Sequence, residues 1–455
     1  MTDRARTAGV FGGRFTSRSR ATVKGCVRNG PDAGAGPSFL RDAWGPGPSP
    51  RDLLAIFAAA VVLRALLALL SFASFDLCHP ACPMRDAGKS LLHLAHDYAL
   101  RADGKSYMAY ARAIHGDAVW IEARDGPGVG AAGLSPEAMA RDTGKFEAYD
   151  RRVFPGFPML LAAVALTGIP LPLAALAIPW LCAGLAASLT AKLAGDRRLG
   201  WGMALLTPHY LLYSSLAMTE SILLAAAVGG LVLLMSGAAR PASAGAATGG
   251  VLLGLAGLIR PNAVFALAGA LAWCGWRRRW RAAVLLLAGA AVAALAGLLL
   301  VRWRVGDPLA GLAVYQDDPR AFGGRLFSWP FRSLLVTTAG LPPARLWKAA
   351  YIWLHVVVVL WACVVAVRNA RRAWRGPATL SSSMDVLAAP WIVGNTAFIL
   401  CIGSSWGFQA FHRYAVWALP AILWPLRGAL PHRARFWIPL GLLSLVIAWA
   451  SVMRN

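Results

Sequence analysis

Acidic residues are scarce in this chain of 455: 21 Asp and Glu stand against 45 Lys and Arg, and the four types together make up only 15%. A soluble protein carries roughly a quarter charged residues, so a water-facing surface over most of the length is excluded. Apolar and polar residues also fail to alternate as they would in half-buried strands. A Walker loop, a zincin His pair and a nucleophile elbow are all missing, which removes three widespread signatures of nucleotide and hydrolytic chemistry. Cysteine offers little framework, with seven in all. Cys182, Cys274, Cys363 and Cys401 lie in or beside apolar blocks, where they pack as small hydrophobes. Cys78 and Cys82 share a Cys-His-Pro-Ala-Cys stretch spaced for a local disulfide in an oxidising compartment. A metal site there lacks a second ligand pair.

Long apolar blocks are what the chain has instead, with 58% hydrophobic residues. A membrane span needs about 20 mainly apolar residues, and 52–74, 281–301, 347–367 and 435–452 meet that length. The formal charge of +24 does not point to nucleic acid, because the basic residues sit in short clusters between apolar blocks. Lys192/Arg197/Arg198, Arg277/Arg278/Arg279/Arg281, Arg368/Arg371/Arg372/Arg375 and Arg427/Arg433/Arg435 follow the pattern of cytoplasmic loops, in contact with anionic headgroups. Acidic residues concentrate elsewhere: the stretch 76–152 holds 11 of the 21, together with ten Lys and Arg, and is nearly neutral.

These patterns predict an all-α polytopic membrane protein. Residues 1–51, rich in Arg, Gly, Ser and Pro, read as a disordered basic cytoplasmic tail, followed by a first span over 52–74. Residues 75–157 form a large extracytoplasmic loop with two interfacial helices, over Ser90–Leu100 and Lys105–His115. Residues 158–455 form the polytopic domain. Keeping the basic clusters inside makes crossings of 158–191, 200–214, 221–236, 246–259, 263–276, 281–301, 347–367, 385–403, 414–427 and 435–452. With the first span that is about eleven, although Pro170 and Pro172 allow 158–191 to be a re-entrant pair. The short spans are expected to line a cavity. The same topology gathers 76–157, 209–220, 260–262, 302–345 and 404–413 on one outer face.

Several polar residues on that face are candidates for chemistry. Asp103 is a loop carboxylate suited to taking a hydroxyl proton; alone it reads more readily as a solvated loop residue or helix N-cap, and Asp76, Asp86 and Asp97 are rivals in the same loop. Glu220 is the single acidic residue between Asp196 and Asp307 and opens an apolar span, where the helix N-terminus would favour it whether or not it acts. Arg260, in Leu-Ile-Arg-Pro-Asn, and Arg413, in Phe-His-Arg-Tyr, are cations on the face where the topology rule discourages them. Guanidinium groups bind phosphate in bidentate geometry, and snorkelling to the interface is the plainer explanation. His412 could assist Arg413, although a lone His is more often structural. Gly306-Asp307-Pro308 and Gln316 read, by themselves, as a turn and a surface amide.

Taken together these segments resemble the PIG-V-like mannosyltransferases, a branch of the GT-C membrane glycosyltransferases. The family's Trp-Asp-x-x-x-Tyr/Phe motif is matched by Ala102-Asp103-Gly-Lys-Ser-Tyr107, ending at Gly116, with Ala in place of Trp. Its Phe-Phe-Pro-Gly/Leu-Phe/Tyr-Pro is matched by Val153-Phe154-Pro155-Gly156-Phe157-Pro158. Thr219-Glu220-Ser221, Arg260-Pro261-Asn262-Ala263, Gly306 to Leu309 with Gln316, and Arg413-Tyr414 follow in family order. The resemblance implies a GT-C-like bundle and an inverting transfer of a sugar, mannose in that family, from a polyprenyl- or dolichyl-phosphate donor. The acceptor would be a glycan, lipid or protein. Asp103 would be the general base, Glu220 would position the acceptor or a divalent cation, and Arg260 and Arg413 would bind the donor phosphate. Asn262, Gln316, His412 and Tyr107 would complete the substrate site. No cofactor is obligatory, since the donor leaves with one phosphate. Membrane lipids are the remaining expected partners, and nucleic acid is not one. The Ala/Arg/Gly-heavy composition favours a bacterial plasma membrane with the site facing outward, or the endoplasmic reticulum in a eukaryote. A transporter, a lipid flippase or an inactive scaffold is the alternative class; a transporter would favour midplane charges and internal repeats, and neither is evident.

Overall fold

Apolar segments this long must satisfy every backbone N–H and C=O within themselves, and outside a closed barrel only helices do so. The computed structural model describes residues 47–78, 98–99, 103–115, 153–236, 243–308, 327–403 and 406–454. Within them the chain is helical and without strands; an isolated antiparallel bridge joins Phe327 and Ile402. The helices are α1 (Pro50–Cys78), α2 (Gly104–His115), α3 (Gly156–Ala165), α4 (Leu171–Ala194), α5 (Arg197–Leu205), α6 (Pro208–Ser215), α7 (Glu220–Ser236) and α8 (Ser243–Ile259). They continue with α9 (Ala263–Trp276), α10 (Trp280–Val305), α11 (Arg332–Ala339), α12 (Leu346–Arg375), α13 (Leu380–Leu400), α14 (Phe411–Ala415) and α15 (Trp437–Arg454).

Five helical stretches are long and apolar enough to cross a bilayer: Pro50–Ser71, Leu171–Ala194, Trp280–Val305, Pro343–Arg375 and Leu380–Leu400. They become six if α6 and α7, bent by 105°, count as one broken span. The chain is thus an integral, multi-pass membrane protein. Its helices share the work unequally. In α13 67% of the apolar window is buried by protein, against 22% in α10, so α13 is central and α10 lies at the periphery. Small residues let the helices approach. A Cβ on Gly250 would stand 2.1 Å from the Leu286 carbonyl oxygen, and one on Gly254 2.3 Å from that of Ala290. That four-residue glycine spacing seats α8 directly on the α10 backbone. Gly269 does the same between α9 and α13, where a Cβ would come within 2.3 Å of the Leu387 oxygen.

Three apolar blocks expected to be single crossings are divided. The block 158–191 is two helices, α3 and α4, parted around Gly168 (φ +79°) and Pro170, and α4 alone is long enough to cross. The block 200–214 splits into α5 and α6 because Pro208 cannot continue α5 and instead starts α6. The block 414–427 becomes α14, a 3-10 turn over Val416–Ala418 and a short helix over Leu419–Leu423. Pro420 and Pro425 account for that segmentation. In the first loop, α2 coincides with the expected helix over Lys105–His115. The other expected helix, apart from Tyr98 and Ala99, and the segment 117–150 lie outside the described residues, as do residues 1–46 and the side chains of Cys78 and Cys82. Between residues 302 and 345, where no element is expected, α11 forms and residues 328 and 331 donate to the carbonyls of Cys401 and Leu400.

Candidate functional site

The site is built on breaks in helices. Between α6 and α7 the backbone is irregular over 216–219 and Glu220 is the first residue of α7. The partial positive charge of a helix N-terminus favours a carboxylate there, which is how an acid comes to be fully buried in an apolar bundle. Asp103 stands immediately before α2, and its carbonyl accepts from the Tyr107 N–H at 3.0 Å. Gly104 lets that turn sit close: a Cβ would fall 1.9 Å from the Ala99 oxygen and 2.9 Å from the Ala217 Cβ. Any side chain at 104 would push Asp103 away from the 216–219 break.

Arg260 follows α8, whose course ends because Pro261 disfavours helical conformation at the residue before it. The Phe154-Pro155-Gly156-Phe157 turn is pressed against this same end, with Gly156 where a Cβ would lie 2.7 Å from the Ile259 nitrogen. Phe157 is fully buried and packs edge-on against Tyr107, ring centroids 5.1 Å apart. The Tyr107 hydroxyl in turn accepts from Arg260 Nη2 at 2.9 Å, and Arg260 Nε donates to Thr219 Oγ1 at 2.9 Å. Burial pushes the Tyr107 phenol up to about 12, with the Arg260 guanidinium working the other way, so it stays protonated at neutral pH.

Arg413, from α14, closes the cluster. Its Nε donates to Glu220 Oε1 at 2.6 Å and its Nη2 to Asp103 Oδ2 at 2.8 Å. Arg260 Nη2 lies 3.7 Å from the same Asp103 oxygen. Two carboxylates and two guanidinium groups, 310 residues apart at the widest, therefore form one charge-neutral network. The Asp103 side chain is the most open at 20% exposure, followed by Arg413 at 14%, Arg260 at 9% and Glu220 at 0%. Access to the network is thus from the Asp103 side. Glu220 Oε2 is buried without a hydrogen-bond partner among the described residues. Removing one member of such a network leaves an uncompensated buried charge, at a cost of about 3–5 kcal/mol.

Of the residues singled out in the sequence, Asp103, Tyr107, Glu220, Arg260 and Arg413 meet directly. His412 is adjacent, its Nε2 3.0 Å from the Tyr213 hydroxyl, while the Arg413 guanidinium lies over the Tyr213 ring. Asn262 stands aside: it donates to Asn395 Oδ1 at 3.1 Å, and Asn395 donates to the Tyr414 carbonyl at 3.2 Å, which braces the backbone next to Arg413. Asp307 lies at the foot of α10 and Gln316 lies outside the described residues, as do Asp86, Asp97 and the side chain of Asp76.

Two groups, apart from His412 in the first, were missed in the sequence. His209, Tyr213, Tyr351, His355 and His412 form an imidazole–phenol cluster beside Arg413, with His209 and His412 rings 3.8 Å apart and Tyr351 bonded to His209. The signal was there: His209/Tyr213 and Tyr351/His355 are each four apart on one helix face. Arg64, inside the first span and fully buried, donates to Ser214 Oγ at 2.8 Å and to the Ala60 and Ala204 carbonyls, beneath the Tyr210 ring. It fastens α1 to the helix that leads into the Glu220 break. A charge inside a span is itself the clue. Among the described residues no three His, Cys, Asp or Glu side chains are grouped to hold a metal ion. Comparison of the chain with protein-family models, curated proteins and solved structures finds no match.

Proposed function

We propose that the chain is a membrane glycosyltransferase that moves a sugar from a polyprenyl- or dolichyl-phosphate donor to an acceptor hydroxyl, on the extracytoplasmic side of the membrane. The observation that carries this reading is the convergence of Asp103, Glu220, Arg260 and Arg413 from four separate elements into one network opening at Asp103. Transfer needs a base for the acceptor proton and cations for the departing phosphate, and the network has both. In one displacement the acceptor oxygen bonds to the anomeric carbon as its O–H proton passes to Asp103. The bond from that carbon to the phosphate oxygen breaks with its electron pair, leaving a lipid monophosphate and an inverted anomeric centre.

The guanidinium groups neutralise the phosphate as it leaves. Donor binding is then coupled to activation: each guanidinium that turns toward phosphate loosens its hold on the Asp103 carboxylate and makes it a better base. Glu220, with one oxygen held by Arg413 and the other without a hydrogen-bond partner among the described residues, orients the acceptor or a divalent cation. Mannose as the sugar rests on the resemblance of the sequence motifs to the PIG-V-like family. About eleven crossings belong to the same proposal, as do a cytoplasmic tail over 1–51, a first loop over 75–157 outside and a plasma-membrane location. The opposed basic clusters support that orientation.

The test is to incubate membranes with and without this chain with radioactive polyprenyl-phosphate mannose. Label appearing in a new product only in the presence of the chain supports the reading. Unchanged donor at all times argues for the transporter or scaffold alternatives.

A further inference from the structure

The face of α12 that points away from the candidate site carries a pattern the proposed chemistry does not use. Leu354, Val357, Trp361 and Val364 are all more than half exposed and recur at helical spacing. Continuing down the same face, Arg368, Arg371, Arg372 and Arg375 are exposed and fall within an arc of about 100°. Along the helix axis this amounts to about 15 Å of apolar strip followed by about 10 Å of guanidinium. The lower part is an open groove, walled on the α13 side by Val393: Cys363, Val364, Val367, the four arginines and Val393 line a space of about 690 Å³. Cys363 Sγ, 3.4 Å from Thr396 Oγ1, ties the two walls together.

A topology signal needs only positive charge near the membrane edge, not a shared groove with an apolar upper wall. A second, smaller opening lies beside the turn after α12. There Arg277, Arg278 and Arg279 meet Gly376 and Ala378. Among the described residues no carboxylate lines either opening. The first therefore offers a cationic end and an apolar length in series, the complement of a molecule with an anionic head and an extended hydrocarbon tail. Guanidinium binds a phosphodiester by paired donors, and basic pockets between membrane helices suit anionic headgroups.

We infer that the α12–α13 groove is a binding site for an anionic phospholipid, its phosphate on Arg368, Arg371, Arg372 and Arg375 and one acyl chain along Val367, Val364 and Trp361. The site lies at the opposite end of α12 from Tyr351 and His355, so it is separate from the Asp103 network.

Native mass spectrometry of the full chain in detergent, with phosphatidylglycerol or phosphatidylcholine of the same acyl chains added, tests this. Phosphatidylglycerol is retained in preference to phosphatidylcholine. Arg368→Gln/Arg372→Gln weakens that retention by about fivefold for each charge removed, and Val367→Trp, which fills the groove without changing charge, weakens it as well. Arg433→Gln/Arg435→Gln, an exposed pair elsewhere in the chain, leaves it unchanged. Equal retention of the two lipids overturns the inference. So does equal loss in the two double variants, which would make the attraction one of bulk charge, or full retention by Arg368→Gln/Arg372→Gln.

Discussion

At the scale of single residues the network behaves as a unit, and substitutions should reveal it. Glu220→Leu leaves two guanidinium groups against the single Asp103 carboxylate and should lower stability by about 3–5 kcal/mol, read as a fall in the thermal unfolding midpoint in detergent. Glu220→Leu/Arg413→Met should regain part of that loss, because an apolar pair replaces a desolvated ion pair at little cost, yet remain inactive. Full activity in the double variant would separate the charges from the chemistry. Tyr107→Phe removes a hydroxyl that accepts from Arg260 at 2.9 Å and should cost about 2 kcal/mol. Gly104→Ala should be at least as damaging, since its Cβ meets the Ala99 oxygen at 1.9 Å. Glu220, Arg260 and Arg413 were legible in the sequence because each is a charge where the surroundings disfavour one, and Asp103 because the residues around it resemble a family motif. Tyr213, His209 and His355 were not, since phenols and imidazoles are unremarkable at a helix end until a partner from a distant helix is seen.

At the scale of elements, helix ends decide where the site sits. The α5 start shows the same logic at a half-buried position. Asp196 caps it by accepting from the Arg198 N–H at 2.9 Å, and Arg198 Nη2 lies 2.7 Å from its other oxygen. Burial pushes against charge on Asp196, but the donors of Arg198 outweigh it and hold the carboxyl below its usual range. A depressed carboxyl stabilises the fold fully above its unfolded value, about pH 4, and loses that contribution as pH falls through the native value. Asp196→Ala should therefore cost about 1 kcal/mol at neutral pH and progressively less on acidification, measured by unfolding midpoints at both pH values. A cost that grows on acidification would contradict the sign. Uninterrupted blocks such as 221–236, 263–276 and 347–367 correspond to helices with nearly the same bounds or longer, because length and apolarity alone specify them. The divided blocks were harder to read: an apolar run looks continuous by composition, and only the prolines at 170, 208 and 420 mark where it must turn.

At the scale of the whole molecule, α12 is the measuring rod. Its 30 residues span about 45 Å, from Tyr351 and the histidine cluster to the arginines at its far end. Trp329 and Arg375 are exposed near opposite ends of the α12–α13 pair. In sealed vesicles an impermeant maleimide should label Trp329→Cys from outside and Arg375→Cys only after permeabilisation; labelling of both from one side would reject the topology. The fold thus holds the Asp103 network towards one end of α12 and the α12–α13 groove towards the other, with four charges from distant stretches of chain held together at the former. Whether those charges perform sugar transfer is tested most directly by Asp103→Asn. With wild-type and variant protein at equal abundance in the membrane, release of labelled sugar from the polyprenyl-phosphate donor to acceptor should be lost in the variant. Transfer at the wild-type rate would contradict the assignment.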